Sequence, residues 1–426
     1  MHNHQTYPLS IIEKRMLDLN MRRPDADILN RPLRIFGPLC INTFLGAYQW
    51  LTEKYTVMKT RYKKDELSDS FVKVLDHPAV ITFEDYSAKS KEALEQKLEE
   101  ISRSVFDVQK DPLFKMFLIK SNENENIFFI KCHHISADGI SCLKLVHGVF
   151  EAYNFNRTTG NYPTIDSEYG MPDFVKFEEE FLQTKKGMES NKYWTDILDK
   201  QKRDSTIKNI PKSIESHSVD LLINEEEYTT LERSVQSMDV STFAYTTAAF
   251  QKVLAPDMLV STTISTRIQK AHRKAIGPMF KYALLGQGPE NEPFKDKALR
   301  LRKEIFRAQR TPYCCDTIAL HGNPNYAFDY EKTALATYFK IAPENKGFSA
   351  LAFGGGSSEP TPMTPELGVK PVDLPLRFVP YSLFLSIGDF QTNLHLKLIY
   401  NIELYTKQEA HEILQVLKNK LLDPNL

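Results

Sequence analysis

The sequence predicts a mixed α/β protein of two lobes, and three observations predict it. Short apolar runs of strand character alternate with stretches whose apolar residues recur at helical spacing. The chain has 426 residues, beyond the ~250–300 at which a single core stops growing. A cluster of turn-formers, Asn154 to Pro163, follows the first series of elements. We therefore expect an N-terminal lobe over residues 1–175, a connector within residues 154–190, and a C-terminal lobe over residues 176–426.

In chain order, strand character is expected at Arg34 to Phe36, Val57 to Tyr62, Ala79 to Phe83, Leu113 to Lys120 and Ile127 to Cys132. A helix near Ser90 places Leu94, Leu98, Ile101 and Val105 on one face. The polar run after Phe150 cannot extend a helix and reads as the connector. Helices are then expected at Pro172 to Leu182, Asn224 to Met238, Ser241 to Leu254 and Lys295 to Gln309. Residues Phe348 to Pro375, rich in Gly, Ser and Pro, read as a long surface loop. Two strands, Ser382 to Ile387 and Leu394 to Tyr400, and an amphipathic helix from Thr406 close the chain.

Composition narrows the function. Fifty-four basic against fifty-five acidic residues leave no net field to attract nucleic acid or an anionic membrane. No apolar run approaches the ~18 residues of a membrane span. The opening MHNHQTYPLS lacks the basic start and apolar stretch of a secretory signal, so a cytoplasmic location is expected. The five cysteines, Cys40, Cys132, Cys142, Cys314 and Cys315, give neither a disulfide framework nor a zinc knuckle, and the adjacent pair reads as packing residues.

The informative segment is the apolar run Ile127 to Cys132 followed by His133, His134, Ile135, Ser136, Ala137, Asp138 and Gly139. A strand here runs into a turn and then a helix whose inner face is expected to be Ile140, Leu143, Val146 and Phe150. Side chains alternate along a strand, so at most one imidazole of the pair faces a shared cleft. An exposed imidazole titrates near neutrality, so His134 has the chemistry to take a proton from an amine or hydroxyl attacking a thioester. Gly139, without a side chain, lets a substrate or backbone approach closely. Spacing alone leaves other readings open: a structural histidine pair, or an aspartate that caps the helix. Neighbouring histidines on opposite faces do not converge on a metal, and no third ligand stands at helical spacing.

His133, His134, Asp138 and Gly139 stand as in the HHxxxDG signature, and the chain resembles the condensation-domain superfamily of acyltransferases, stand-alone nonribosomal-peptide condensation domains above all. The resemblance extends along the chain. Tyr7 to Ser10 looks like the family's opening motif, Gly37 to Leu39 like its "GPL" strand, and Leu51 to Tyr62 like the segment after it. Tyr193 and Trp194 resemble its "YW" pair, and Arg267 with Ile276 and Gly277 its "GR…IG" region. Where many relatives continue "IGMFVNT", this chain has Pro278, Met279, Phe280, Lys281 and Tyr282 after Gly277.

The resemblance implies two chloramphenicol-acetyltransferase-like lobes in a V, with the active site in a tunnel between them. It implies transfer of an acyl group from a carrier-protein phosphopantetheine thioester to an amine or hydroxyl, forming an amide or ester in natural-product biosynthesis. His134 matches the catalytic second histidine, with His133 beside it; Asp138 and Arg267 match a structural ion pair; Gly139 matches the glycine beside the thioester. No tightly bound cofactor is implied, and an acyl or peptidyl carrier protein is expected in trans. Two alternatives stand beside this reading: a coenzyme A-dependent acyltransferase acting on a small alcohol or amine, and a non-catalytic scaffold that binds carrier proteins. Gly354 to Gly356 with Ser357 superficially resembles a carrier's attachment site, but no apolar helix follows it.

Overall fold

The computed structural model describes the chain apart from residues 1–5, 66–69, 77, 166–168, 201–211, 257, 312, 314–332, 342–358, 375–376 and 424–426. Cys314, Cys315 and the Gly354 to Ser357 run lie outside the described residues.

The elements begin with β1 (Thr6–Tyr7), α1 (Ile11–Arg22), β2 (Ile28–Phe36), α2 (Ile41–Lys54), β3 (Thr60–Lys64), β4 (Phe71–Leu75) and β5 (Val80–Asp85). They continue with α3 (Lys91–Arg103), β6 (Phe114–Asn122), β7 (Glu125–His133), α4 (Gly139–Thr159), α5 (Met171–Gln183), α6 (Lys185–Lys200) and β8 (Glu215–Ile223). Next come α7 (Glu225–Ser237), α8 (Thr242–Val253), β9 (Leu259–Ser265), β10 (Phe280–Leu285), α9 (Phe294–Arg310) and β11 (Thr333–Lys340). The last are β12 (Thr361–Pro362), β13 (Gly368–Pro371), β14 (Arg377–Phe378), β15 (Leu383–Asp389), β16 (Leu394–Asn401) and α10 (Lys407–Leu422).

By contact the chain forms two units. The first comprises Met1–Glu179, Arg267–Met279 and Gly347–Leu374, and the second the remainder. The first unit's main sheet has the order β12-β13-β2-β7-β6-β5, and a small sheet β1-β4-β3 stands beside it. All its pairings are antiparallel except β5 with β6, so the main sheet is mixed. Its centre is β7, where Ile127, Phe128, Phe129, Ile130 and Cys132 are all buried, as a strand covered on both faces requires.

A buried polar network ties the small sheet to α1. Ser10 and Glu13 form a capping box, which satisfies backbone N–H groups at the start of the helix. The Glu13 carboxylate also takes the Lys73 ammonium at 3.1 Å and the Tyr62 hydroxyl at 2.8 Å.

The second unit's sheet runs β10-β9-β11-β15-β16-β8-β14, with β11 parallel to both β9 and β15. One face carries Val219, Leu385, Leu396 and Leu398 into a core shared with α7, α8, α9 and α10. Asn224, Ser241 and Thr406 cap three of these helices through their side chains.

Several expectations change. The helix α4 continues to Thr159, through the polar run read as a connector, and ends on Gly160 at φ 78°. Thr158 and Thr159 bond back to the carbonyls of Asn154 and Phe155, and buried Ala152 and Tyr153 hold the turn before them; packing outweighs weak propensity. The buried face of α4 includes Val146 and Phe150 as expected but is wider, taking in Cys142, Leu145, Val149 and Ala152, while Ile140 and Leu143 stay partly exposed. Val57 to Lys59 form a 3₁₀ turn that brings Met58 into the core, and the strand starts at Thr60. Helix α3 stops at Arg103, leaving Val105 exposed. Part of the presumed surface loop is sheet: β13 pairs with the edge of β2 and buries Val369, covering unpaired backbone.

Candidate active site

The site is built where β7 ends. His133 is its last residue and stands opposite Ile28 of β2. The chain turns over Ile135 and Ser136, and α4 starts at Gly139. Ser136 secures the turn twice on the His133 carbonyl, through its N–H at 3.0 Å and its hydroxyl at 2.8 Å. The Tyr62 hydroxyl reaches the Ile135 carbonyl at 3.3 Å, so the Glu13 network supports the turn from below.

The two imidazoles differ in surroundings. His133 is fully buried and both ring nitrogens are engaged. Its Nδ1 accepts the Ile135 N–H at 3.1 Å, so in the neutral ring the proton sits on Nε2. The Asn20 amide lies 3.0 Å from Nε2 and must therefore present its oxygen there. Burial, and then the neighbouring His134, push His133 down to about 3, so it stays neutral at ordinary pH. His134 keeps part of its surface in solvent. Its backbone N–H donates to the Asp27 carbonyl at 2.6 Å.

Asp138 serves both as helix cap, a role that spacing left open, and as ion-pair partner of Arg267, the role that the resemblance implied. Its Oδ1 accepts the Ser141 N–H at 2.7 Å, and its Oδ2 accepts the Met279 N–H at 3.1 Å. The Arg267 guanidinium meets both oxygens, with Nη2 3.0 Å from Oδ1 and Nη1 against Oδ2. Burial works against this carboxylate, but the Arg267 charge and hydrogen bonds, with those from Ser141, outweigh it and hold Asp138 below the usual range.

Ser141 completes the joint. Its hydroxyl donates to the Gly277 carbonyl at 2.9 Å and accepts from the Gly277 N–H at 3.1 Å and Arg267 Nη2 at 2.8 Å. Along the chain Arg267–Met279 lies between β9 and β10, yet by contact it belongs to the first unit. It is further held by the His272 ring among Tyr169, Phe174 and Phe177, at centroid distances of 5.3, 5.3 and 4.7 Å. Gly277 permits the close approach: a Cβ there would lie 2.2 Å from Met171 Sδ. At Gly139, by contrast, a Cβ would meet nothing within 4 Å, so the first residue of α4 has open space around it.

A sequence model of the condensation domain matches residues 3–334. The chain belongs to the condensation-domain family. It is 20% identical over 99% of its length to part of bacitracin synthase 3 of Bacillus licheniformis. It is 22% identical, again over 99% of its length, to part of gramicidin S synthase 2 of Aneurinibacillus migulanus. It spans 6% and 9% of those synthases. Its fold is that of the X-domain from teicoplanin biosynthesis, with a TM-score of 0.77, 16% identity, and coverage of 100% of this chain and 97% of that one. The mixed α/β architecture expected from the sequence is thus the condensation-domain fold.

The structure brings His133, His134, Asp138, Gly139 and Arg267 into one neighbourhood. Sequence reasoning missed Asn20, Asp27, Ser141 and Met279. Ser141 carried a usable signal, since the third residue after a capping aspartate supplies the N–H it accepts. Met279 acts through its backbone, and Asn20 and Asp27 come from a distant segment brought in by the β2–β7 pairing, so no local pattern marks them.

Proposed function

We propose that this condensation-family protein transfers an acyl group from a carrier-bound phosphopantetheine thioester to an amine or hydroxyl, with His134 as general base. The observation that carries the reading is the asymmetry of the histidine pair: His133 is enclosed and neutral, while His134 is partly exposed, and the start of α4 at Gly139 is open. A neutral His134 accepts the proton as the acceptor nitrogen or oxygen bonds to the thioester carbon. The carbon–sulfur bond then breaks, and the imidazolium returns the proton to the departing thiolate. His133 holds the turn, the Asp138–Arg267 pair fixes the start of α4, and Gly139 leaves room for the thioester.

The test offers the purified protein matched acyl groups on a carrier protein and on coenzyme A, with a panel of amines and alcohols. Faster product formation from the carrier supports the reading. Preference for coenzyme A moves the protein to the alternative acyltransferase reading. Carrier binding without product from any acceptor supports the scaffold reading instead.

A further inference from the structure

We infer that Asn20 is a positioning residue for His134, acting through His133: its amide oxygen holds the His133 ring in the one tautomer that can carry the turn. The inference rests on the proposed role of His134 as base. Asn20 lies on α1, 113 positions from His133, and both side chains are buried. The chain of contacts between them and the turn is direct. The Asn20 amide stands 3.0 Å from Nε2, and Nδ1 of the same ring accepts the Ile135 N–H at 3.1 Å. That N–H belongs to the peptide bond that joins His134 to Ile135, so the ring fixes the backbone on which the proposed base is mounted.

His133 thus works as a relay with one donor and one acceptor, and it does so only while neutral. In the imidazolium both nitrogens are donors, and a proton on Nδ1 would point at the Ile135 N–H. Asparagine suits this demand, since its oxygen takes the Nε2 proton and brings no charge. A carboxylate at the same distance would favour the imidazolium. An aliphatic side chain would leave the Nε2 N–H buried without an acceptor. The surroundings agree with the neutral form. Beside the ring stand His134, Asn20 and Phe106, whose ring meets it edge-on at 6.1 Å, and Lys115 of β6 and Lys131 of β7 lie over Phe106 at 4.8 and 5.9 Å; none of these brings a negative charge to His133. Burial, and then His134, hold the ring's pKa at about 3.

The experiment uses Asn20→Leu, which removes the acceptor, and Asn20→Asp, which adds charge to it. The control is Tyr228→Phe in the second unit, which deletes a buried hydroxyl 2.8 Å from the Asp389 carboxylate. Asn20→Leu should lose about ten- to hundredfold in kcat with donor KM nearly unchanged, the scale on which misplacing a reacting group costs rate. Tyr228→Phe, although destabilised, should keep the wild-type kcat. In Asn20→Asp, nitrogen NMR reads the protonation of His133, and the rate relative to wild type at the same pH should follow it. Transfer should be lost where both ring nitrogens carry protons and regained as rising pH returns the ring to the neutral form. A wild-type kcat in Asn20→Leu overturns the inference, as does an equal loss in Tyr228→Phe, or a rate in Asn20→Asp that ignores the state of His133. If Asn20→Leu does not fold, Asn20→Asp decides alone. Absence of transfer by the wild type with every donor overturns the proposed function instead. The positioning is then read from the His134 ring and amide signals, which should shift in Asn20→Leu and hold in Tyr228→Phe.

Discussion

Asp138 in the first unit and Asp220 in the second each meet basic side chains of a distant segment, and the two clusters work differently. The Asp138 side chain is 9% exposed and Arg267 6%, and the carboxylate also accepts two backbone N–H groups from separate segments. Asp220 is 44% exposed; it meets His395 at 3.0 Å and Lys397 at 3.3 Å on the adjacent strand β16. The first cluster joins a helix start, a turn and the segment Arg267–Met279; the second decorates a ladder that backbone hydrogen bonds already hold. Residue types alone do not separate them. What separates them is the number of backbone segments that depend on the carboxylate, and how far water can replace it.

The largest expected effect follows from that dependence. Asp138→Ala leaves a buried guanidinium and two N–H groups without their acceptor, so it should destabilise the protein by about 3–5 kcal/mol in chemical denaturation. A double-mutant cycle with Arg267 isolates the pair, and a coupling energy near zero would remove it from the account.

Lys131 sharpens the comparison, because its ammonium is held by carbonyls in place of a carboxylate: Ile101 at 2.6 Å and Ser102 at 2.9 Å. Burial, and then the like charge of Lys115, push it down to about 7. Below that pH the folded and unfolded chains both hold the proton and Lys131 contributes no slope. Between pH ~7 and ~10.4 the unfolded chain binds more protons, so stability rises with pH. Lys131→Met should flatten that rise in denaturation midpoints measured from pH 7 to 10.

Asp220→Ala should cost no more than about 1 kcal/mol, since water already solvates much of the carboxylate. The loss should fade in 1 M salt, where the screening length is ~3 Å, while the cost of Asp138→Ala persists. Equal salt sensitivity would break the distinction between the clusters. The smallest effect on stability is expected at Gly139: the open space there lets Gly139→Val fold normally while raising the donor KM or stopping turnover, as steady-state rates beside a melting curve would show.

Much of this arrangement was legible in the chain. The apolar run Ile127 to Cys132 pointed to the strand β7, and helices were expected near Ser90, at Asn224 and from Thr406, the residues that cap α3, α7 and α10. The motif from His133 to Gly139 pointed to the site, and resemblance supplied Arg267, which no spacing could have paired with Asp138 across 129 positions. The failures have physical causes. Asn154 to Thr159 read as turn-formers because propensity is local, whereas α4 is held there by packing. Strands β12 and β13 carry Pro and Gly and are held through backbone, β12 on β13 and β13 on β2, which leaves little trace in side-chain pattern. Asp27 looked like any polar residue before a strand until the β2–β7 register set it against His134.

Whether His134 and not His133 handles the proton is decided by the transfer rate of His134→Ala with a carrier-bound thioester in a single turnover. A positioned base contributes about 10²–10⁴-fold, and the account predicts a loss of that size with a hydroxyl acceptor, at an unchanged melting temperature. Near-normal transfer by a stably folded His134→Ala would contradict it.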